Sequence, residues 1–231
     1  ERVAVRKKAG RLSNLVQDIE RDPMPEATVG IGHTRWATNG VPNDTNAHPH
    51  TSRDGKVAII HNGIIENASQ LRLDLQTEGY RFASETDTEV VAQLLGVNYK
   101  GDIIEAITKT LSQLRGSYAL GVMCTDYPGK IFCTRKDSPL VVGKGKNESY
   151  LASDIPAILE YTREIYLLDE GDIAVLDKGK IEFFDLLGSE ITKEPMTVSW
   201  DVKTAEKGGY KHFMMKEMHE QPTALKDTFS P

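Results

Sequence analysis

The sequence is poor in cysteine, in basic excess and in long apolar runs, and each shortage excludes something. Its only cysteines are Cys124 and Cys133, with no secretory leader before them. They are expected as reduced core thiols, not as a disulfide framework. No apolar run approaches the length of a membrane span, so a soluble, cytoplasmic protein with no membrane partner is expected. The net charge is -6, which argues against nucleic acid or an anionic membrane as partner. The basic residues Arg2, Arg6, Lys7, Lys8 and Arg11 then read as one solvated strand face. There is no Gly-x-Ser-x-Gly elbow, phosphate loop, internal repeat or low-complexity tract. An initiator Met is lacking too: Glu1-Arg-Val-Ala-Val-Arg reads as the middle of a strand, so the chain is taken as cut upstream.

What remains is an ordinary globular composition, 39% hydrophobic and 27% charged over 231 residues, enough for one full core. Residues 2–8 alternate as a half-buried strand does. Leu12, Leu15, Val16 and Ile19 follow a helical period that Asp22-Pro23 stops. Residues 27–34 predict a short Gly-containing strand, 35–53 a long loop of the kind that is functional or disordered, and 57–61 a buried strand. Helices are predicted over 66–78, over 86–97 with Thr86 and Glu89 as a capping box, and after Asp102. Residues 80–83 predict a brief strand. From Ser117 the pattern changes to short strands joined by turns, interrupted by a helix over 155–161. Strands and helices that do not alternate one for one predict an α+β fold with antiparallel sheet. Residues 193–209 read as a linker, and 210–221 as a Met-rich helix ended by Pro222.

Three stretches carry candidate chemistry. Arg35, on the loop after Gly30-Ile-Gly-His-Thr, offers a planar fork for a carboxylate; an arginine there equally serves a structural ion pair. Thr38 and Asn39 could add hydrogen bonds, and Trp36 could be a lid or loop packing. Asn62-Gly63 is a hairpin-turn signal, but a helix is expected to follow it. That favours a loop offering a side-chain amide and a backbone N–H, the two donors of an oxyanion hole. Asp87, in the first turn of a helix, suits the helix dipole or a substrate ammonium. Together these groups form a clamp for a small zwitterion carrying a carbonyl, such as an amino acid amide. His48-Pro-His50 is a weak metal signal without other ligands at spacing, so neither a metal nor a cofactor is expected. His33 and His61 read as structural. Neither cysteine has a base beside it, so no nucleophile is evident.

The segments His33-Thr-Arg-Trp-Ala-Thr38, Asn46-Ala-His-Pro-His50, His61-Asn-Gly-Ile-Ile-Glu66 and Ser84-Glu-Thr-Asp-Thr-Glu89 resemble the class II glutamine amidotransferases. Within them, they resemble the glutaminase domain of the glucosamine-6-phosphate synthase (glutamine–fructose-6-phosphate aminotransferase) family. The likeness continues through Leu114-Arg-Gly-Ser-Tyr118 and Tyr210-Lys-His-Phe-Met-Met-Lys-Glu217. It implies an N-terminal-nucleophile hydrolase fold, an αββα sandwich of antiparallel sheets between helical layers. Residues 1–192 would be the amidotransferase domain and 193–231 the connector to a sugar-isomerase domain. The substrate implied is L-glutamine, with fructose 6-phosphate as acceptor in the other domain and a homodimer as the full enzyme. Arg35 and Thr38 would hold glutamine's carboxylate, Asp87 its ammonium and Asn62 with Gly63 the oxyanion, while Trp36 would gate ammonia. Asn39 stands where the family usually has His, which implies a weaker carboxylate clamp. The family's nucleophile, an N-terminal cysteine, is absent, so the chain as it stands is expected not to hydrolyse glutamine. A non-catalytic glutamine-binding module and a glutaminase serving another acceptor are the alternatives.

Overall fold

The computed structural model describes residues 3–199 and 207–229. Helix α1 covers Leu12–Arg21; short strand β1 (His50–Thr51) precedes the long β2 (Val57–Ile65). Three helices follow: α2 (Ala68–Thr77), α3 (Asp87–Asn98) and α4 (Ile103–Leu111). Then come β3 (Gly116–Cys124), β4 (Ile131–Lys136), β5 (Val141–Lys144), β6 (Ser149–Ala152) and a single 3₁₀ turn at Ile155–Ala157. Strands β7 (Glu164–Leu167), β8 (Ile173–Asp177), β9 (Lys180–Phe184), β10 (Glu190–Ile191) and β11 (Met196–Thr197) lead to helix α5 (Phe213–Phe229). Seven strands pair in the order β1-β2-β3-β4-β8-β9-β10, and four in the order β11-β7-β5-β6. Every ladder between these strands is antiparallel.

Period-two alternation sorts the strand residues into layers. Tyr118, Leu120, Val122 and Cys124 of β3, with Phe132, Ile173 and Val175, face α2–α4 and pack on Val90, Val91, Leu94, Ile103 and Ile107. The residues between them, Ala119, Cys133, Ala174 and Leu176, meet Val142 and Tyr166 of the smaller sheet and Leu168 just beyond it. On that sheet's far face, Val141 and Ile165 pack on Ile158, Leu159 and Val198. The result is helices, large sheet, small sheet and a thin outer cover. The outer layer carries only the 3₁₀ turn, where the sequence predicts a helix over 155–161.

Helix ends behave as their caps dictate. Thr86 Oγ1 accepts from Glu89 N–H at 3.2 Å, and Asp102 Oδ1 accepts from Ile104 and Glu105 N–H at 2.9 and 3.0 Å. Each such cap contributes about 1 kcal/mol. The Glu89 carboxylate reaches past the cap to the Ala83 and Ser84 N–H groups at 2.8 and 2.6 Å.

Elsewhere the structure departs from the pattern. Residues 3–8, the described part of the strand expected over 2–8, and residues 27–34 and 80–83, also expected as strands, join no sheet. Alternation prepares one face but supplies no ladder partner, and residues 7–9 bind a loop instead. There Lys7 Nζ donates to the Thr45 carbonyl at 2.8 Å, and Ala9 N–H to Asp44 at 2.6 Å. Helix α1 forms on its period yet buries no residue. Residues 193–198, assigned to the linker, are packed: β11 pairs with β7, Val198 is buried, and Lys193 sits 2.8 Å from Asp169. Residues 200–206 of that linker lie outside the described residues. Helix α5 continues through Pro222, expected as its end. The missing N–H costs an exposed helix roughly 3 kcal/mol, and neighbouring turns carry it.

Candidate active site

Strand β2 is longer than the buried run 57–61. It pairs with β3 through Ile65, with Asn62 opposite Ala119 and Gly63 opposite Tyr118. The Asn-Gly pair is therefore neither a hairpin turn nor a loop but the inside of a sheet. Gly63 has φ +123°, and a Cβ there would overlap the Ser117 carbonyl. Only glycine combines that torsion with that approach.

The first turn of α3 lies against this end of β2. Asp87 Oδ2 accepts from Ile65 N–H and Oδ1 from Thr88 N–H, both at 3.0 Å. The carboxylate thus ties helix to strand. It is 7% exposed. The Thr88 hydroxyl lies between two imidazoles, 3.0 Å from His61 Nδ1 and 3.1 Å from His48 Nε2. The His48 ring stands 4.4 Å from the His33 ring, centre to centre. His33 Nε2 in turn lies 2.6 Å from Asn62 Oδ1. Thr86 Oγ1 meets His50 Nε2 at 3.0 Å.

Burial holds all four imidazoles toward their neutral forms. It pushes His48 down to about 2, helped by His33 and His50 beside it. It pushes His50 down to about 4, helped by Lys7. His33 is lowered by burial against the opposing pull of Asn62. His61 is lowered by burial against the attraction of Asp87. Among the described residues no group of His, Cys, Asp or Glu is arranged to hold a metal ion.

The opposite wall is the long loop. Arg35 turns back on that loop and donates to the carbonyls of Val41 and Gly40 at 3.4 Å, and to that of Asn39. Asn46, 1% exposed, fastens the loop to the body. Its Nδ2 donates to the Val41 carbonyl at 3.0 Å and to Glu85 at 3.1 Å, and its Oδ1 accepts from Glu85 N–H at 3.0 Å.

Between the walls is a cavity of about 300 Å³. Arg35, Trp36, Thr38, Asn62, Gly63 and Asp87 all line it, with His33, His48, His61, Thr88 and Ser117. Asn39 does not; it takes part through its backbone carbonyl alone. Trp36 is 90% exposed, so its side chain packs on nothing in the loop. The sequence pattern missed the histidines as lining groups and Asn46 as the loop's anchor. The one available signal was that Asn46, His48 and His50 share a loop too long to be idle. Cys124 and Cys133 are buried in strands β3 and β4, with desolvation raising both thiols. Neither lines the cavity.

Comparison with known proteins bears on the family and the fold. Residues 33–160 match the family model described as a glutamine amidotransferase domain. The chain is 56% identical over 226 residues to a glutamine–fructose-6-phosphate aminotransferase (isomerizing) of Caldanaerobacter subterraneus, covering 98% of this chain and 37% of that one. It is 50% identical to the corresponding protein of Clostridium tetani, covering 99% of this chain and 37% of the relative. The Aquifex aeolicus protein is 48% identical, with 98% of this chain and 38% of the relative covered. The chain thus spans little more than a third of these relatives' length. Among solved structures, the glutamine phosphoribosylpyrophosphate amidotransferase of B. subtilis aligns with a TM-score of 0.58 at 24% identity. That alignment covers 67% of this chain and 34% of the other, and it speaks for the fold, that of the N-terminal-nucleophile amidotransferases. Motifs, sheet order and relatives converge: this chain belongs to the glutamine amidotransferase domain family.

Proposed function

We propose that the chain is the glutamine-hydrolysing part of a glutamine–fructose-6-phosphate aminotransferase. It would release ammonia from L-glutamine for transfer to fructose 6-phosphate, in a cytoplasmic and homodimeric enzyme. The observation that carries the reading is the convergence of one cation, one anion and one amide donor on a cavity the size of an amino acid. Arg35 and Thr38 stand where a carboxylate would be held, Asp87 where an ammonium would, and Asn62 with Gly63 where an oxyanion would develop.

In this assignment the carboxylate of glutamine replaces the loop's own carbonyls on Arg35. The exchange is favourable, because a charged acceptor makes stronger bonds to guanidinium than neutral carbonyls do. Binding therefore rearranges residues 35–41 and places Trp36 over the bound amide. Asp87 already accepts two backbone N–H bonds, which fix its carboxylate in place for the ammonium. Asn62 and Gly63 are fixed in a paired strand, so their dipoles need no reorganisation as the carbonyl oxygen gains charge. The attack is assigned to an N-terminal cysteine, which is not among these 231 residues.

The test is the glutamine KM of the full-length gene product. Arg35→Ala and Asp87→Ala are each expected to raise it at least about 100-fold, the loss of one charge-assisted contact. An unchanged KM in both variants overturns the reading. Retained glutamine hydrolysis without amino-sugar formation assigns a different acceptor.

A further inference from the structure

We infer that His33 is a positioning residue that fixes the direction of the Asn62 amide, so that its N–H₂ and not its oxygen faces the cavity. The inference rests on the glutaminase reading above and deepens it.

An asparagine offers two opposite edges, and an oxyanion hole works with only one of them. With the carbonyl edge inward, the same side chain would repel a developing negative charge. Strand pairing holds the Asn62 backbone but says nothing about the rotation of its terminal amide. That rotation is set by the single hydrogen bond between Asn62 Oδ1 and His33 Nε2, at 2.6 Å.

The imidazole selects one arrangement. Its lowered pKa leaves the ring neutral near pH 7, with one N–H. His33 Nδ1 is buried and has no hydrogen-bond partner. If Nδ1 carried the proton, a buried N–H would be orphaned; if Nε2 carries it, only a lone pair is. Orphaned donors are the rarer and costlier defect. The proton therefore sits on Nε2 and donates to Asn62 Oδ1, which leaves Asn62 Nδ2 on the other edge. His33 itself is held by the His48 ring beside it, and the Thr88 hydroxyl holds His48. The chain His33–His48–Thr88 thus links the loop to α3 and steers a side chain of β2.

The experiment is a kinetic double-mutant cycle on the full-length gene product, with nitrogen NMR of its histidines. His33→Leu is expected to lower kcat for glutamine hydrolysis about 10- to 100-fold, a fraction of what losing an oxyanion donor costs. KM should stay within about twofold, because the amide acts when charge develops. His33→Gln, whose amide can present an N–H at the same point, should recover most of the rate. In an Asn62→Ala background, His33→Leu should cost nothing more. An equal loss in both backgrounds, or an unchanged kcat, overturns the proposal. The wild-type spectrum should show His33 protonated at Nε2 and bare at Nδ1; the reverse tautomer overturns it without any variant. If the wild type hydrolyses no glutamine, the glutaminase reading falls, while the tautomer still decides which way Asn62 points.

Discussion

The two walls of the cavity are built differently. One consists of β2 and the first turn of α3, inside the largest core of the molecule, and its groups are fixed by backbone bonds. Asn62 and Gly63 lie in a continuous ladder, and Asp87 accepts two main-chain N–H groups. The other wall is a loop with no regular structure from residue 22 to 49. It is held by side chains: Asn46 to Glu85, His33 to Asn62, and Arg35 to its own carbonyls. The difference follows the chemistry asked of each wall. A group that stabilises developing charge works best when it cannot move, whereas a group that admits and encloses a substrate has to.

That contrast can be broken in order of effect. Gly63→Ala should be the most damaging change in the rigid wall, because it combines an unfavourable torsion with a clash against backbone. A loss of roughly 3 kcal/mol or more is expected in urea unfolding. A loss below about 1 kcal/mol would show that β2 yields, and that the wall is not rigid.

Asn46→Ala should cost about 1–3 kcal/mol, since it strands the Glu85 N–H. Its more telling effect is local. Proteolysis should begin between residues 35 and 45 in the variant and not in the parent. Unchanged cleavage there would mean the loop has a stronger anchor.

Arg35→Lys keeps the charge and loses the fork. Glutamine KM should rise about 10-fold or more, with the thermal midpoint nearly constant. Trp36→Ala should be the mildest for stability, within about 0.5 kcal/mol, because the side chain is exposed.

Acid should act on the junction of the two walls. His33, His48, His50 and His61 have folded-state pKa values below the ordinary 6.5. The unfolded chain therefore binds more protons in that window, and stability falls as pH falls. The contribution should be complete above about pH 6.5. It should drain from there down through about 4, the value to which His50 is pushed, and on to about 2, the value to which His48 is pushed. A chemical denaturation series across that range checks it, and replacing His50 by Gln should flatten the curve.

Much of the fold could be read from periodicity, but not evenly. The helices α3 and α4 appear where the spacing of Val90, Val91, Leu94, Ile103 and Ile107 and the caps Thr86 and Asp102 place them. Those signals are local, and a helix satisfies its own backbone. Residues 3–8 and 27–34 alternate as convincingly as a strand and form none, because a strand needs a neighbour that its own sequence cannot supply. Pro222 shows the converse: a strong local stop was overridden.

The site divides the same way. The sequence by itself determined the chemical inventory: an arginine fork, an Asn-Gly pair, a helix-start acid, and two cysteines unfit as nucleophiles. Only the tertiary structure decided that the Asn-Gly pair belongs to a strand, that Asn39 does not line the cavity, and that four histidines gather near one another. Those facts depend on contacts between residues far apart in the chain, such as Asn62 with Ala119, His33 with Asn62 and Asn46 with Glu85. Helical and strand periods carry no record of such pairs, because period describes how a segment meets the core and not which distant segment it meets.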